Sequence, residues 1–145
     1  MITIRMLQAD EGHLLDNQSP GIFDDDVDPT LIAEFCADPR HHLAVALSDD
    51  NLMVGMASGL HYVHPDKRTQ LFINEVGVAD AFQGQGIGKR LLAVLLEHAR
   101  SLNCTEAWVL TEPDNLPALG LYRSVGTGTS ESAAVMFTFP LEADS

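Results

Sequence analysis

Cysteine is nearly missing from this chain: Cys36 and Cys104 are the only two in 145 residues, and neither stands in a C-x-x-C. No disulfide framework can be read from them. Long apolar runs are missing too. None approaches the ~18 residues of a membrane-spanning helix, and Met1 to Met6 lack the basic-then-apolar order of a signal peptide. A soluble cytoplasmic protein without a membrane partner is the expectation. Cations are scarce, with 8 Lys and Arg against 21 Asp and Glu, for a net charge of −13. That balance argues against nucleic acid as a partner, because phosphate backbones are bound by clustered Lys and Arg. An acidic surface concentrates cationic ligands, although solubility alone is an equally good reason for it. Repeats, linkers and low-complexity tracts are lacking as well. The length suits a single domain over residues 1–145 with a real core, and an apolar fraction of 46% is that of a globular protein.

The stretch that organises the rest runs from residue 71 to residue 102. Residues 71–78 are apolar and β-rich, as in a buried strand that Glu75 interrupts. From Arg90 onward, Leu91, Leu92, Leu95, Leu96, Ala99 and Leu102 recur on one face of a helix. Between strand and helix, Gly84, Gly86 and Gly88 remove side chains where the helix begins, so its free N–H groups can approach an anion. Lys89 and Arg90 sit at the helix end where the macrodipole disfavours cations, an arrangement that makes sense if a polyanion lies there. The turn is neither a P-loop, since Arg90 replaces the Mg²⁺-binding hydroxyl, nor a dinucleotide fingerprint, since Lys89 stands where the third glycine belongs.

The remaining pattern predicts strands at residues 2–7, 42–48, 52–62, 106–110 and 135–139. Helices are expected near 11–16, over 29–37 with Asp28 as N-cap and Leu31, Ile32 and Phe35 inward, and over 115–124. Residues 61–67 read as a polar and aromatic loop, and Asn103 as a helix stop. The order β-α-β-β-β-α-β-α-β is a mixed α/β arrangement with a parallel crossover between residues 71 and 110.

The run Gln83-x-x-Gly86-x-Gly88 after a valine-ended strand resembles the pyrophosphate-binding motif of the GNAT superfamily of acyl-coenzyme A N-acyltransferases. The element order resembles that fold as well. The resemblance implies a central mixed sheet of six to seven strands flanked by about four helices, with acetyl-CoA as donor. It implies contacts to the coenzyme from Val76, Val78, Gln83, Gly84, Gln85, Gly86, Ile87, Gly88, Lys89 and Asn115. Tyr122 would lie beside the sulfur as general acid, or else be a half-buried packing residue. Thr127 departs from the family, which usually carries an aromatic or large apolar residue there.

Amide formation from a thioester needs a deprotonated amine, a polarised carbonyl and a protonated leaving thiolate. Glu75, a carboxylate in an apolar strand, is the first choice of general base, with a structural hydrogen-bond acceptor as the alternative. A backbone N–H near Val76 on the interrupted strand would polarise the carbonyl. Glu112 and Asp114 are either amine-binding carboxylates at a strand end or turn and cap residues. Asp24, Asp25 and Asp26 form either a solvated acidic loop or one wall of a polycation site. His61 and His64 stand as H-x-x-H without a recognisable third ligand, so substrate-loop or surface roles for them and Tyr62 are preferred over a metal.

Residues 61–67, 72–78 and 106–115 together are similar to the class I, gentamicin-type aminoglycoside 3-N-acetyltransferases within GNAT. That resemblance implies the 3-amino group of a 2-deoxystreptamine ring as acceptor, antibiotic resistance as outcome and a homodimer. Two other readings stay open: an acetyltransferase of another amine (polyamine, metabolite or protein) and a non-catalytic acetyl-CoA-binding module.

Overall fold

The computed structural model describes residues 1–126 and 128–142. Five strands, β1 (Thr3–Met6), β2 (His41–Leu47), β3 (Met53–His64), β4 (Lys67–Val78) and β5 (Glu106–Val109), make one sheet in chain order. The first four pair antiparallel. β5 is parallel to β4, joined to it through α2 (Ile87–Ser101). The other α-helices are α1 (Pro29–Ala37) and α3 (Leu116–Ser124), with 3-10 turns at Gly12–Asp16 and Asp80–Phe82. No helix among the described residues is long and apolar enough to cross a membrane.

The two sheet faces carry separate cores. On one, Leu91, Leu92, Leu95 and Ala99 of α2 pack on Ala44, Ala46, Ala57, Leu71 and Ile73, with Leu121 and Tyr122 of α3 at the margin. On the other, Leu43, Val45, Met53 and Met56 are covered by Leu15, Ile22, Val27, Ile32 and Phe35. The small residues of β2 and β3 let α2 come close: a Cβ at Gly55 would lie 3.0 Å from Leu91 Cδ1.

Local signals decide several boundaries. The Asp28 carboxylate accepts from the Thr30 and Leu31 N–H groups at 2.7 and 3.3 Å and caps α1, with Pro29 at its first position. Asn103, at φ 64°, ends α2 in a left-handed residue. Leu31 corrects the expectation of an inward position, being 62% exposed. Residues 61–67 are not a loop. β3 and β4 run on to a tight hairpin at Pro65 and Asp66, so β4 starts at Lys67 rather than at residue 71. Residues 135–139 form no strand, so among the described residues the sheet has five strands instead of six to seven, and the α-helices number three rather than about four.

An unforeseen polar feature lies under the C-terminal half of α2. His42 on β2 joins His61 on β3 (Nε2 to Nδ1, 2.7 Å) and His98 on α2 (Nδ1 to Nε2, 3.1 Å). His42 is 8% exposed, and burial, then the neighbouring His98, His61 and His41 outweighing Asp38, pulls its pKa down to about 4; burial lowers that of His98 as well. A base with a depressed folded-state pKa loses stability as pH falls, because the unfolded chain takes up the proton first. Between pH 7.5 and 5.5 the loss expected from His42 is about 1 kcal/mol. Urea melts at the two pH values should show it, and His42→Leu should remove most of the difference.

Candidate active site

The strand that the sequence marks as central is irregular where Glu75 stands. Ser58 of β3 pairs with Glu75 and Gly59 with Ile73, so Asn74 is an extra, unopposed residue, a β-bulge. On the other side of β4 the parallel ladder to β5 ends at the pair Ile73–Val109. From Asn74 to Val78 the β5-facing backbone therefore has no strand partner, and the two strands part. The direction of the free groups follows from strand alternation. Ala79 N–H donates to the Val54 carbonyl on the β3 side at 2.8 Å, which turns the N–H groups of Val76 and Val78 into the opening. The Val78 carbonyl agrees, accepting from Gln83 Nε2 at 3.2 Å on that open side.

Beyond the opening, Gly84 and Gly86 adopt φ of 80° and 76°, and space beyond their Cα atoms is clear to 4 Å. Gly86 is the N-cap of α2 and offers no side chain, so the N–H groups of Ile87, Gly88 and Lys89 are uncapped by the protein. Ile87, 2% exposed, anchors the turn in the core. Gly88 keeps the helix start close to Leu121 and Val78, each 3.7 Å from where its Cβ would be. Gln85 and Lys89 are exposed. Arg90 points elsewhere, to the Ile2 carbonyl at 3.2 Å. A row of free amides on a side-chain-free helix end fits an anionic pyrophosphate.

Glu75 is half-buried on the sheet face opposite α2. Burial raises its pKa above the usual carboxylate value, and the nearby Asp24 and Asp25 raise it further. The acidic 24–26 run is brought there by Ile22, which packs over Gly77 in β4. Asp24, Asp25 and Asp26 are all exposed. Tyr122, on α3, is half-buried against the α2-side core, and burial raises its pKa. No protein group among the described residues hydrogen-bonds its hydroxyl, so the phenol is free to act on a ligand. Asn115 caps α3 by accepting from Ala118 N–H at 3.2 Å. Glu112 and Asp114 lie exposed on the segment joining β5 to α3.

Beside this geometry stands a sequence match: a family model, that of the acetyltransferase (GNAT) family, matches residues 10–127. The chain belongs to that family. A curated relative, the N-alpha-acetyltransferase RimI of Mycobacterium tuberculosis, is 37% identical over 71% of this chain and 62% of its own length. The L-2,4-diaminobutyric acid acetyltransferase of Oceanobacillus iheyensis is 36% identical over 59% of this chain and 48% of its own. The aligned stretch thus spans about half to three-fifths of these relatives. Among solved structures, the aminoglycoside acetyltransferase meta-AAC0020 from an uncultured soil metagenomic sample, in complex with sisomicin, superposes with a TM-score of 0.83 at 20% identity, covering 97% of both chains. The aminoglycoside N-acetyltransferase AAC(6')-Iy, in complex with a bisubstrate analogue of coenzyme A, gives 0.74 at 21% identity, covering 97% of this chain and 98% of that one. At these identities the superpositions speak for the GNAT fold.

Within that fold the remaining candidates are dispersed. Tyr62 shares a face with Glu75, but the pairing of Ser58 with Glu75 leaves it four residues farther along β3, about 13 Å. Its hydroxyl donates to Gln70 Oε1 and accepts from Trp108 Nε1, both at 2.7 Å. His61 points to the α2 face, into the histidine cluster, away from Glu75. His64 sits at the hairpin end with Asp66. No group of three or more metal-capable side chains gathers among the described residues. The feature that sequence reasoning missed is Asn74, since no residue type marks a bulge; the polar Asn-Glu pair inside an apolar strand was the available signal.

Proposed function

We propose that this chain transfers the acetyl group of acetyl-CoA to an amine of a polycationic acceptor, an aminoglycoside of the gentamicin or sisomicin type, and so confers resistance to it. The observation that carries the reading is the acidic wall. Asp24 and Asp25 lie close enough to Glu75 to raise its pKa, beside the opened strand, in a chain of net charge −13. Ammonium groups gain most by pairing with carboxylates in a partly desolvated cleft. The names of the structural neighbours, aminoglycoside acetyltransferases, support the same acceptor class. The 3-amino group of 2-deoxystreptamine is the position implied by the sequence resemblance, and the working form is taken as a cytoplasmic homodimer.

Bound acetyl-CoA supplies the thioester. The α2 turn from Gly84 to Lys89 holds its pyrophosphate, and the Val76 and Val78 N–H groups line the acyl arm, Val76 polarising the carbonyl. Glu75, directly or through a water, takes the ammonium proton. The amine nitrogen bonds to the carbonyl carbon, the C–S bond breaks as Tyr122 protonates the departing thiolate, and the second proton shed by the amide nitrogen restores the Tyr122 phenol. A raised carboxyl pKa suits the base and a raised phenol pKa keeps the acid protonated at neutrality. No metal enters the scheme.

A second reading comes from the curated relatives, whose names point to single amines on a protein or an amino acid. Thiol release from acetyl-CoA, compared across gentamicin, sisomicin, spermidine, 2,4-diaminobutyrate and a peptide amine, separates the two. Turnover confined to the aminoglycosides supports the drug reading, and NMR of the product then assigns the acetylated nitrogen. Turnover confined to the peptide or diaminobutyrate overturns it.

A further inference from the structure

The extra residue of the β4 bulge, Asn74, has no part in the acetyl transfer described above. The free N–H groups for the acyl arm come from the parting of β4 and β5, and the base is Glu75. What Asn74 does follows from where the bulge sends its side chain.

Leu71 and Ile73 before the bulge, and Val76 and Val78 after it, all pack into the α2-side core. Regular alternation leaves one residue between successive core positions; between Ile73 and Val76 there are two. Asn74 and Glu75 therefore fill one step together, opposite Ser58, on the face away from α2. A carboxamide and a carboxylate are set side by side on the acceptor face. Asn74 is exposed, and among the described residues no protein group hydrogen-bonds its carboxamide. Asparagine is a poor strand residue, so its presence gains nothing for the sheet. Its other neighbours are apolar. Phe72 lies one step back on the same face, against Trp108 with ring centroids 4.7 Å apart. Across the opening, Leu110 follows the last ladder pair, Ile73–Val109, and is 50% exposed.

We propose that Asn74 determines acceptor specificity by holding an oxygen, hydroxyl or ether, on the carbon next to the one that bears the reacting amine. The chemistry selects that group. A second ammonium is drawn to carboxylates, which Glu75, Asp24 and Asp25 already supply, whereas a carboxamide both donates and accepts and so suits a neutral oxygen. The spacing selects its position. The Asn74 and Glu75 Cα atoms are about 3.8 Å apart across one peptide bond, which matches groups on neighbouring carbons of the acceptor and not groups at its far ends. Phe72 and Leu110 offer the apolar contact that the carbon face of a saturated ring needs. The ligand class is a vicinal amino alcohol or its ether on such a ring, as in an aminocyclitol; a plain polyamine lacks the oxygen. The assignment rests on the acetyl-transfer reading and deepens it: Glu75 takes the proton, and Asn74 chooses among amines.

The test compares 2-deoxystreptamine with cis-1,3-diaminocyclohexane, the same diamine ring without hydroxyls, as acceptors for the full chain with acetyl-CoA. The readout is kcat/KM, or the inhibition constant against whichever amine the enzyme acetylates where a ring turns over too slowly. The wild type should prefer the hydroxylated ring by about tenfold or more, as for a site built to bond a substrate hydroxyl. Asn74→Leu should lower that preference about tenfold, through the KM of the hydroxylated ring, with acetyl-CoA binding showing that the protein is folded. Asn74→Asp, which still accepts from a hydroxyl, should keep the preference and move the acidic limb of kcat/KM to higher pH, because a second carboxylate beside Glu75 disfavours its ionisation. A wild type that treats the two rings alike overturns the proposal, and so does a preference that survives Asn74→Leu. Absence of thiol release with every amine sinks the acetyl-transfer reading and this assignment with it, an outcome distinct from turnover without preference.

Discussion

Glu75→Gln is expected to lower kcat by about 10²–10⁴-fold, the range for removing a positioned general base, with the KM for acetyl-CoA nearly unchanged. The amide keeps the shape of the side chain on β4 and cannot take the ammonium proton. The pH profile carries the finer test. Burial and then Asp24 and Asp25 raise the Glu75 pKa from 4.5, so the acidic limb of kcat/KM should lie above the ordinary carboxylate range. Converting Asp24 and Asp25 to Asn together removes one of the two causes. The limb should move to lower pH while the KM for a polycationic acceptor rises, two changes that a merely structural pair would not produce together. Stability should move the other way from activity. A carboxylate whose folded-state pKa is raised costs stability as pH climbs through that pKa, so Glu75→Gln should melt higher than the wild type at neutral pH. An acidic limb unmoved in the Asn variant, or full activity in Glu75→Gln, would remove Glu75 from the mechanism.

What the sequence disclosed and what it withheld divide along the range of the interactions. The glycine turn, the Asp28 cap and the Asn103 stop are set by a few neighbouring residues, and all three are legible in order along the chain. The β3–β4 hairpin is not, because its polar and aromatic residues resemble a loop until Tyr62, Gln70 and Trp108 meet across three strands. The histidine cluster draws on β2, β3 and α2, with partners 19 and 56 positions apart, and no spacing rule reaches that far. Residues 135–139 have the composition of a strand, but a strand also needs an edge, which composition does not supply. The acidic 24–26 run illustrates the middle case. Its charge is obvious in the sequence, yet only the packing of Ile22 over β4 brings Asp24 and Asp25 near Glu75.

That packing makes Gly77→Ala the second substitution with a large expected effect. Gly77 needs no unusual backbone angle; what it needs is the missing side chain. A Cβ there would collide with the Ile22 carbonyl oxygen, a backbone atom that cannot rotate away, and would press on Met56 Cε at 3.3 Å. Relief requires the segment around Ile22 to lift from the sheet, taking a 3% exposed core residue and the following aspartates with it. Overpacking of this kind costs about 1–3 kcal/mol and occasionally more, or a fall in Tm of roughly 3–10 °C for a domain of this size. The functional consequence is selective. The α2 turn does not touch Ile22, so acetyl-CoA affinity should hold, whereas the KM for a polycationic acceptor should rise about tenfold or more as Asp24 and Asp25 leave Glu75. A monoamine acceptor, which needs only the base, should lose less. Equal losses for polycation and monoamine, measured on folded protein, would mean that the acidic wall supports the fold and does not select the substrate.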